Sequence, residues 1–404
     1  MPSDRGLGFK DAKMIQKAMS IYINELVYDL KRKNLDVCTL SLGEAFFDLE
    51  KPNFEHYDVD DLVHYTSSRG HPKLLATLKK YYKEIHNAGV KTEEIMVTAG
   101  SKIAIYMAIM YSLSEKKNKV AILEPAWLSY VEQVTMAGGK PINYGLNKTI
   151  RQILDKLDHS FCCIIINNPN NPSGTRYTEK DLRQLFECCS QFGINVIIDE
   201  AYSEFIPNSQ KFVSSSKFIN EYDNVITVSS LSKNMGMSGF RIGYLLSNTK
   251  IVDAIVKYNQ HLITCAPTIL QVYIADKFFD ILDKTTPQIG KIIEKREKIL
   301  KYCKSLNINT LEGDSTFYIM MEIPKTESIF DFCMHLLLND HLSVVPGIAY
   351  GESCRNYVRI SIGTESLQRI MKAIDLIRFR IDNGWHSSDD ISQKLKAYNL
   401  PSYS

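Results

Sequence analysis

The amino-acid sequence predicts an α/β fold: a mostly parallel central sheet flanked by helices, followed by a smaller α+β domain. Short runs rich in β-branched residues alternate with amphipathic helical patterns, which is typical of strands joined by crossover helices. The runs are apolar at consecutive positions, as in strands that are buried on both faces. The length of 404 residues suits a large domain together with a smaller one.

The predicted large domain contains six strands with helices between them. Because strands and helices alternate along the chain, we expect the sheet to be mostly parallel and ligands to bind at the carboxyl ends of its strands. The strands are Ile95–Thr98, Val120–Leu123, Cys162–Asn167, Asn195–Asp199, Asn224–Ser229 and Tyr244–Ser247, and the clearest helices are Ser101–Ser112, Glu179–Phe192 and Ile251–His261.

The pattern changes near Pro287, where a long charged helix is expected over Ile289–Leu306. Three short strands and a helix follow, which indicates a smaller α+β domain. These elements are Thr316–Ile323, Ser343–Val345, Tyr357–Ile362 and Glu365–Ile381. We therefore predict an N-terminal arm (1–40) whose helical stretch Lys10–Leu30 packs with the small domain, a large domain (41–287), a small domain (288–382) and a C-terminal tail (383–404) with a terminal helix.

The composition favours a cytoplasmic protein that binds neither nucleic acid nor a membrane. The net charge of +2 gives no basic surface, and the longest apolar stretch, near Ile103–Leu113, is too short to span a bilayer. The N-terminus lacks the apolar core of a signal peptide. The nine cysteines show no metal-binding spacing, and the neighbours Cys162-Cys163 and Cys188-Cys189 lie in apolar runs, so we expect a reducing compartment and no metal site.

A lysine follows a predicted strand in VSSLSKNMGMSGFRIGY, which begins at Val228. A lysine that forms a Schiff base must be held at such a position with a lowered pKa. Ser230, Ser232 and Arg241 would supply hydroxyls and a guanidinium for the phosphate of a cofactor. An isolated loop lysine is usually only solvated, but these neighbours indicate that Lys233 holds a phosphorylated cofactor.

Other strand ends carry groups that suit a pyridine ring. Asp199 ends the strand in NVIIDEAYSEF, where a buried carboxylate would keep a pyridine nitrogen protonated. Tyr202, and Asn171 in the segment NNPNNPSGT, could donate hydrogen bonds to a phenolic oxygen on that ring. The alternatives are a helix N-cap for Asp199 and a simple tight turn for the Asn-Pro segment.

Two other strand ends could complete the cofactor site. Gly100 and Ser101 begin a helix, so that backbone N–H groups and the Ser101 hydroxyl could bind phosphate. Trp127 lies just past the next strand and could stack on the pyridine ring or pack in the core.

Two residues are candidates for binding the substrate. Arg359 lies within an apolar strand, where either a substrate carboxylate or a structural ion pair could balance its charge. Gly43 ends a strand-like run, and its bare backbone would permit the close approach of a ligand.

In this order, the motifs resemble those of the class I/II aminotransferases, the aspartate-aminotransferase-like branch of pyridoxal 5'-phosphate (PLP) enzymes with fold type I. The resemblance covers roughly Leu40 to Arg359. Trp127 matches the family's stacking aromatic residue and Arg359 its carboxylate-binding arginine. The matching motifs are Asn171-Pro172-Ser173-Gly174, Asp199-Glu200-Ala201-Tyr202, and Ser230 to Lys233 followed by Arg241-Ile242-Gly243.

The resemblance implies that PLP is bound to Lys233, which moves a proton as general base and acid while an amino group passes between an amino acid and a 2-oxo acid. It also implies a homodimer with shared active sites, in which Tyr65 reaches the phosphate bound by the other subunit. Aminotransferase-like PLP lyases, racemases and amino-acid oxidases or hydroxylases use the same residues and remain alternatives. A PLP-binding regulator is a remote alternative. Such proteins carry a DNA-binding domain ahead of this fold, whereas here we expect the fold to begin near Leu40, and the net charge is only +2.

The substrate is less well defined. GEAFFD, from Gly43, replaces the family's usual Gly-Glu-Pro-Asp-Phe. In some aspartate-type relatives a lysine at the place of Lys102 reads the distal carboxylate, which favours aspartate or glutamate as amino donor. Lys102 could instead assist the phosphate or extend into solvent, and Phe46 and Phe47 favour an apolar or aromatic substrate.

Overall fold

Alternating strands and helices build most of the chain. The structure is a computed structural model and describes residues 15–146, 148–324, 327–385 and 388–403. The strands are β1 Cys38–Thr39, β2 Ile95–Thr98, β3 Lys119–Leu123, β4 Lys140–Tyr144, β5 Phe161–Asn167, β6 Asn195–Asp199, β7 Val225–Ser230, β8 Gly243–Leu246, β9 Tyr318–Glu322, β10 Leu342–Ser343, β11 Val345–Pro346 and β12 Tyr357–Ser361. The helices are α1 Met19–Arg32, α2 Val59–Leu62, α3 Pro72–Ile85, α4 Ser101–Ser112, α5 Ser129–Met136, α6 Ile150–Leu154, α7 Glu179–Gln191, α8 Leu231–Asn234, α9 Thr249–Leu262, α10 Thr268–Ser305, α11 Ile329–Asp340, α12 Leu367–Asn383 and α13 Ser388–Ala397.

The central sheet has seven strands in the order β2-β8-β7-β6-β5-β3-β4. All neighbours are parallel except for β8, which is antiparallel to both β2 and β7. Every residue of β5 and β7 is buried, because helices cover both faces of the sheet. The predicted α/β fold with a mostly parallel sheet is confirmed. The carboxyl ends of β5, β6 and β7 meet at one edge.

The six predicted strands agree with the structure to within one residue at each end, and α4 has the predicted bounds. Strand β4 was missed. Its residues KPINY are mostly half-buried or exposed, since β4 lies at the edge of the sheet, and it therefore lacks the apolar run that marks the inner strands.

Helix α10 is longer than the sequence predicted. It begins at Thr268, not at Ile289, and continues through Pro287. Pro287 is exposed, so the hydrogen bond that it cannot make lies on the solvent side, where water can bind the freed carbonyl. Phe278 and Leu282 in the first half pack in the core of the large sheet, and Ile292 and Ile299 in the second half pack in the other core.

The remaining strands form two small sheets, one antiparallel with the order β11-β12-β9 and one in which β1 pairs in parallel with β10. Helix α1 packs through Tyr22 and Leu26 against α11 and α13. It begins at Met19, since residues 15–18 are not helical, and the part of the predicted helix before residue 15 lies outside the described residues. Among the helices that the structure describes, none is long and apolar enough to cross a membrane.

Candidate active site

A cavity of about 390 Å³ lies at the carboxyl ends of the central strands, where ligands bind in sheets of this kind. Most of the residues that the sequence singled out line it, although they come from segments far apart in the chain. They are Gly43, Ser101, Lys102, Trp127, Asn171, Asp199, Tyr202, Ser230, Ser232, Lys233, Arg241 and Arg359. Gly100 and Tyr65 do not line this cavity.

Lys233 lies in the short helix α8, directly after β7. Ser230 caps this helix, because its hydroxyl accepts a hydrogen bond of 3.1 Å from the Ser232 N–H. The Lys233 ammonium donates to the Gly43 carbonyl at 2.5 Å. Burial lowers the pKa of Lys233 to about 8, although the charges of Glu44 and Asp199 oppose this shift. About one amine in ten is therefore uncharged at pH 7, far more than for a lysine in water, and the uncharged form is the one that a nucleophile requires.

Asp199 occupies the carboxyl end of β6 and is buried. One carboxylate oxygen accepts a hydrogen bond of 2.7 Å from the Tyr130 hydroxyl, and the other accepts one of 3.1 Å from the Ala201 N–H. Burial raises the pKa of Asp199, and a cation held against its carboxylate would oppose that shift. Among the described residues a turn and no helix follows Asp199, so the N-cap alternative is not supported; the bond from the Ala201 N–H closes this turn, and the carboxylate lines the cavity.

Three polar side chains meet above the carboxyl ends of β5 and β6. The Asn171 side-chain amide donates to the Tyr202 hydroxyl at 3.3 Å, and the hydroxyls of Tyr202 and Tyr318 lie 3.0 Å apart. Asn167 fixes the turn by accepting a 2.6 Å bond from the Asn171 N–H. The Asn171 side-chain oxygen is buried and has no hydrogen-bond partner within the described residues. These groups are ordered and retain hydrogen-bonding capacity for a ligand.

Gly100 acts on the cavity indirectly. Its φ of 88° suits glycine, and a Cβ there would lie 2.4 Å from Nη2 of Arg241. The glycine therefore makes room for the Arg241 guanidinium, which also donates to the Ser238 carbonyl at 2.6 Å. With Ser101 at the start of α4, this corner offers hydroxyls, backbone N–H groups and a guanidinium to an anion.

Arg359 is buried against two aromatic rings. Its guanidinium lies 4.4 Å from the Tyr318 ring centroid and 5.2 Å from that of Tyr350, and it donates to the Ser41 carbonyl at 2.7 Å. Within the residues that the structure describes it forms no ion pair, so the structural ion-pair interpretation is not supported. A buried arginine without a counter-ion is suited to binding a carboxylate.

Lys102 and Trp127 form another part of the cavity wall. The Lys102 ammonium lies 5.0 Å from the Trp127 ring centroid, and burial, together with the nearby charge of Arg241, lowers the pKa of Lys102. Phe46 and Phe47, expected near the substrate, do not line the cavity. Phe46 is 65% exposed, and Phe47 packs against Gly236, so these rings give no support for an apolar substrate.

Several lining residues were missed in the sequence. Ser20 and Asn24 project from α1, and the Ser41 hydroxyl donates to the Asn24 side-chain oxygen at 2.6 Å. On an amphipathic helix such polar positions are indistinguishable from a solvated face. Tyr318, from β9, follows no recognisable motif. The other missed residues are Leu128, Asn167, Ala201 and Ser238.

The donor set fits PLP. Asp199 would face the pyridine nitrogen, and Asn171 and Tyr202 would donate to the phenolic oxygen. The hydroxyls of Ser101, Ser230 and Ser232, with Arg241, would bind the phosphate, and the Trp127 indole would stack on the ring. Among the described residues the Asn171 side-chain oxygen has no hydrogen-bond partner and Arg359 has no ion pair, so both groups are left for a substrate.

Comparison with known proteins assigns this fold and cavity to a family. Residues 39–375 match the family described as aminotransferase class I and II, and the chain belongs to that family. An aspartate aminotransferase of Pyrococcus horikoshii is 29% identical over 87% of this chain and 94% of its own length. A (5-formylfuran-3-yl)methyl phosphate transaminase of Methanocaldococcus jannaschii is 29% identical over 94% and 99%.

The comparison of structures gives the same fold. The aspartate aminotransferase of Thermus thermophilus, solved with maleate, superposes with a TM-score of 0.83 over 93% of this chain and 100% of that one, at 22% identity. The family match and the named relatives confirm the predicted family and activity class, and the protein is an aminotransferase. The named substrates of its relatives differ from one another, so they do not fix the substrate of this chain.

Proposed function

We propose that this aminotransferase uses PLP attached to Lys233 to move an amino group between an amino acid and a 2-oxo acid, and that aspartate or glutamate is the amino donor. The observation that carries the proposal is that one cavity contains both a lysine with a lowered pKa, Lys233, and a buried arginine, Arg359, that forms no ion pair with any residue that the structure describes. The first suits covalent attachment and proton transfer, and the second suits an α-carboxylate.

PLP, when bound, supplies an electron sink for the bond that breaks at the substrate Cα. Arg359 binds and orients the α-carboxylate through its guanidinium, and the Tyr318 and Tyr350 rings hold that guanidinium in place. The Lys233 amine accepts the Cα proton and later donates it, which its lowered pKa permits near neutral pH. The Asp199 carboxylate keeps the pyridine nitrogen protonated.

The choice of a dicarboxylic donor rests on the polar character of one wall. Lys102, Ser20 and Asn24 line the cavity, whereas Phe46 and Phe47 do not. An ammonium in a partly desolvated wall favours a second carboxylate, in a contact worth about 1.5–3 kcal/mol. Relatives named for aspartate are in keeping with this proposal.

Two further properties belong to the proposal. Tyr65 is 84% exposed in the single chain and lies outside the cavity, as would suit a residue that serves the other subunit of a homodimer. All nine cysteines are unpaired, which supports a cytoplasmic location, because reducing conditions keep thiols free.

A half-reaction tests the transfer. The enzyme with bound PLP, mixed with aspartate and no oxo acid, should release one oxo acid for each active site and then stop, because the cofactor keeps the amino group. Adding a 2-oxo acid should restart the reaction. Continuous release of product without an acceptor would instead assign the chain to the lyase or oxidase alternatives.

A substitution at Lys102 tests the donor. Lys102→Met should lower kcat/KM for aspartate by about tenfold or more, a loss of about 1.4 kcal/mol, and should spare an apolar amino acid. Lys79→Met, at an exposed position in α3, is the matched control and should change neither value. Equal losses on both substrates would show that Lys102 serves the cofactor, and no loss would show that it is only solvated.

A further inference from the structure

Arg296 has an unusual environment for a cation. It lies in the second half of α10, is only 1% exposed and is the largest fully buried side chain of the described residues. Arg296 forms no ion pair with any residue that the structure describes. Its donors are bound by backbone carbonyl groups, and the nearby charge of Asp314 also favours the guanidinium: Nε donates to Tyr318 at 3.3 Å, Nη2 donates to Ser173 at 3.3 Å, and Nη1 donates to Gly313. Burying a guanidinium is unfavourable unless its donors are used, so this arrangement requires a reason.

The three carbonyls belong to two segments that form the active site. Ser173 lies in the turn of Asn171, which follows β5. Gly313 lies just before β9, and Tyr318 is the first residue of that strand. The side chains of Asn171 and Tyr318 contact the same atom, the Tyr202 hydroxyl, at 3.3 Å and 3.0 Å. Arg296 therefore binds the backbone on both sides of the Tyr202 hydroxyl.

The junction between these segments is tightly packed. A Cβ at Gly174 would lie 2.3 Å from the Ser315 carbonyl oxygen, and a Cβ at Gly313 would lie 2.3 Å from the Ser173 carbonyl oxygen. The Ser315 N–H donates to the Gly174 carbonyl at 3.1 Å. Because the backbones touch, a small shift at Arg296 would be transmitted to both segments without being absorbed by loose side chains.

We propose that Arg296 is a positioning residue that sets the spacing between the Asn171 turn and Tyr318, and through them the place of the Tyr202 hydroxyl in the active site. Arg296 does not line the cavity, so it acts through the groups that do. A lysine at this position would keep the positive charge but lose the planar fork that reaches three carbonyls. The kinetic consequence rests on the proposed function, whereas the structural one does not.

Hydrogen–deuterium exchange of the cofactor-free protein tests the structural part. In Arg296→Lys, we expect faster exchange in peptides that cover 170–175 and 313–318, with no change in a peptide that covers β6. Lys298→Met, at an exposed position of the same helix α10, is the matched control and should leave these peptides unchanged. Unchanged exchange in both peptides of Arg296→Lys would overturn the proposal, and so would uniformly faster exchange, which indicates general destabilisation.

Two measurements on the protein with bound PLP complete the test. In Arg296→Lys, the pH midpoint of the cofactor's absorption change should move, and kcat should fall by about tenfold or more with a smaller change in KM. If Arg296→Lys does not fold, Arg296→Gln, which retains amide donors without the charge, replaces it. Wild-type kinetics and spectrum in a folded variant would overturn the proposal. If the wild-type protein itself transfers no amino group, the proposed function fails, but the exchange result and the spectrum still decide the role of Arg296.

Discussion

The reactivity of Lys233 follows from burial of its amine. Leaving water disfavours the ammonium form and lowers its pKa to about 8, while Glu44 and Asp199 favour the charged form and limit the shift. Arg359 and Arg241 add to the lowering. The same arrangement thus prepares an amine for attachment and provides cations for a carboxylate and a phosphate.

We predict a pH dependence for cofactor attachment. Because the pKa of Lys233 is lowered to about 8, its uncharged form increases with pH, reaches one half at about pH 8 and is nearly complete roughly one unit above that value. The rate at which PLP joins the cofactor-free protein should rise over that range and then level off. Glu44→Gln should shift the midpoint to lower pH, since the Glu44 charge raises the Lys233 pKa. A rate that keeps rising toward pH 10 would contradict this explanation.

The sequence predicted those residues that stand in contiguous motifs at strand ends. Lys233, Asp199 and Asn171 each follow an apolar run, and the carboxyl ends of parallel strands necessarily meet. Tyr318 and Arg296 could not be found in this way. Their positions depend on how β9 and α10 pack against the large sheet, and no local pattern records that packing.

At the scale of elements, inner strands were predictable because burial on both faces imposes apolar runs, and the edge strand β4 was not. The predicted start of α10 was wrong because a proline such as Pro287 usually marks a helix boundary. Tertiary packing overrides that signal, since Phe278 and Leu282 before it, and Ile289 and Ile292 after it, are buried. The change of core between Leu282 and Ile289 supports a domain boundary near 287, which stays a prediction.

A substitution at Pro287 tests the continuous helix. In Pro287→Ala, the new N–H can donate to the Asp283 carbonyl, four residues earlier, and the free energy of unfolding should rise by about 1 kcal/mol. Denaturant unfolding measures this change, with Lys291→Ala, at an exposed position of the same helix, as the control. Destabilisation by Pro287→Ala would indicate that the proline ends one helix before another begins.

At the scale of the whole molecule, we propose that each active site includes Tyr65 of a second chain. Hybrid dimers test this requirement. In a dimer of a Tyr65→Ala subunit and a Lys233→Ala subunit, the site that retains its own Lys233 would receive an intact Tyr65 from its partner. After random mixing, about half of the sites that keep Lys233 lie in hybrid dimers, and these sites should regain the PLP affinity of the wild-type protein. If Tyr65 acts within its own chain, mixing should restore nothing, and a fully active monomer in sedimentation would exclude shared sites.

The central claim is that Lys233 is the lysine that holds PLP. Borohydride reduction of the protein with bound PLP, followed by mass mapping of its peptides, tests this claim over the whole chain. The pyridoxyl adduct should be found on the peptide that contains Lys233, at one per chain, and Lys233→Ala should bind PLP without forming an adduct there or elsewhere. A stoichiometric adduct on any other lysine, Lys102 included, would contradict the assignment of this cavity.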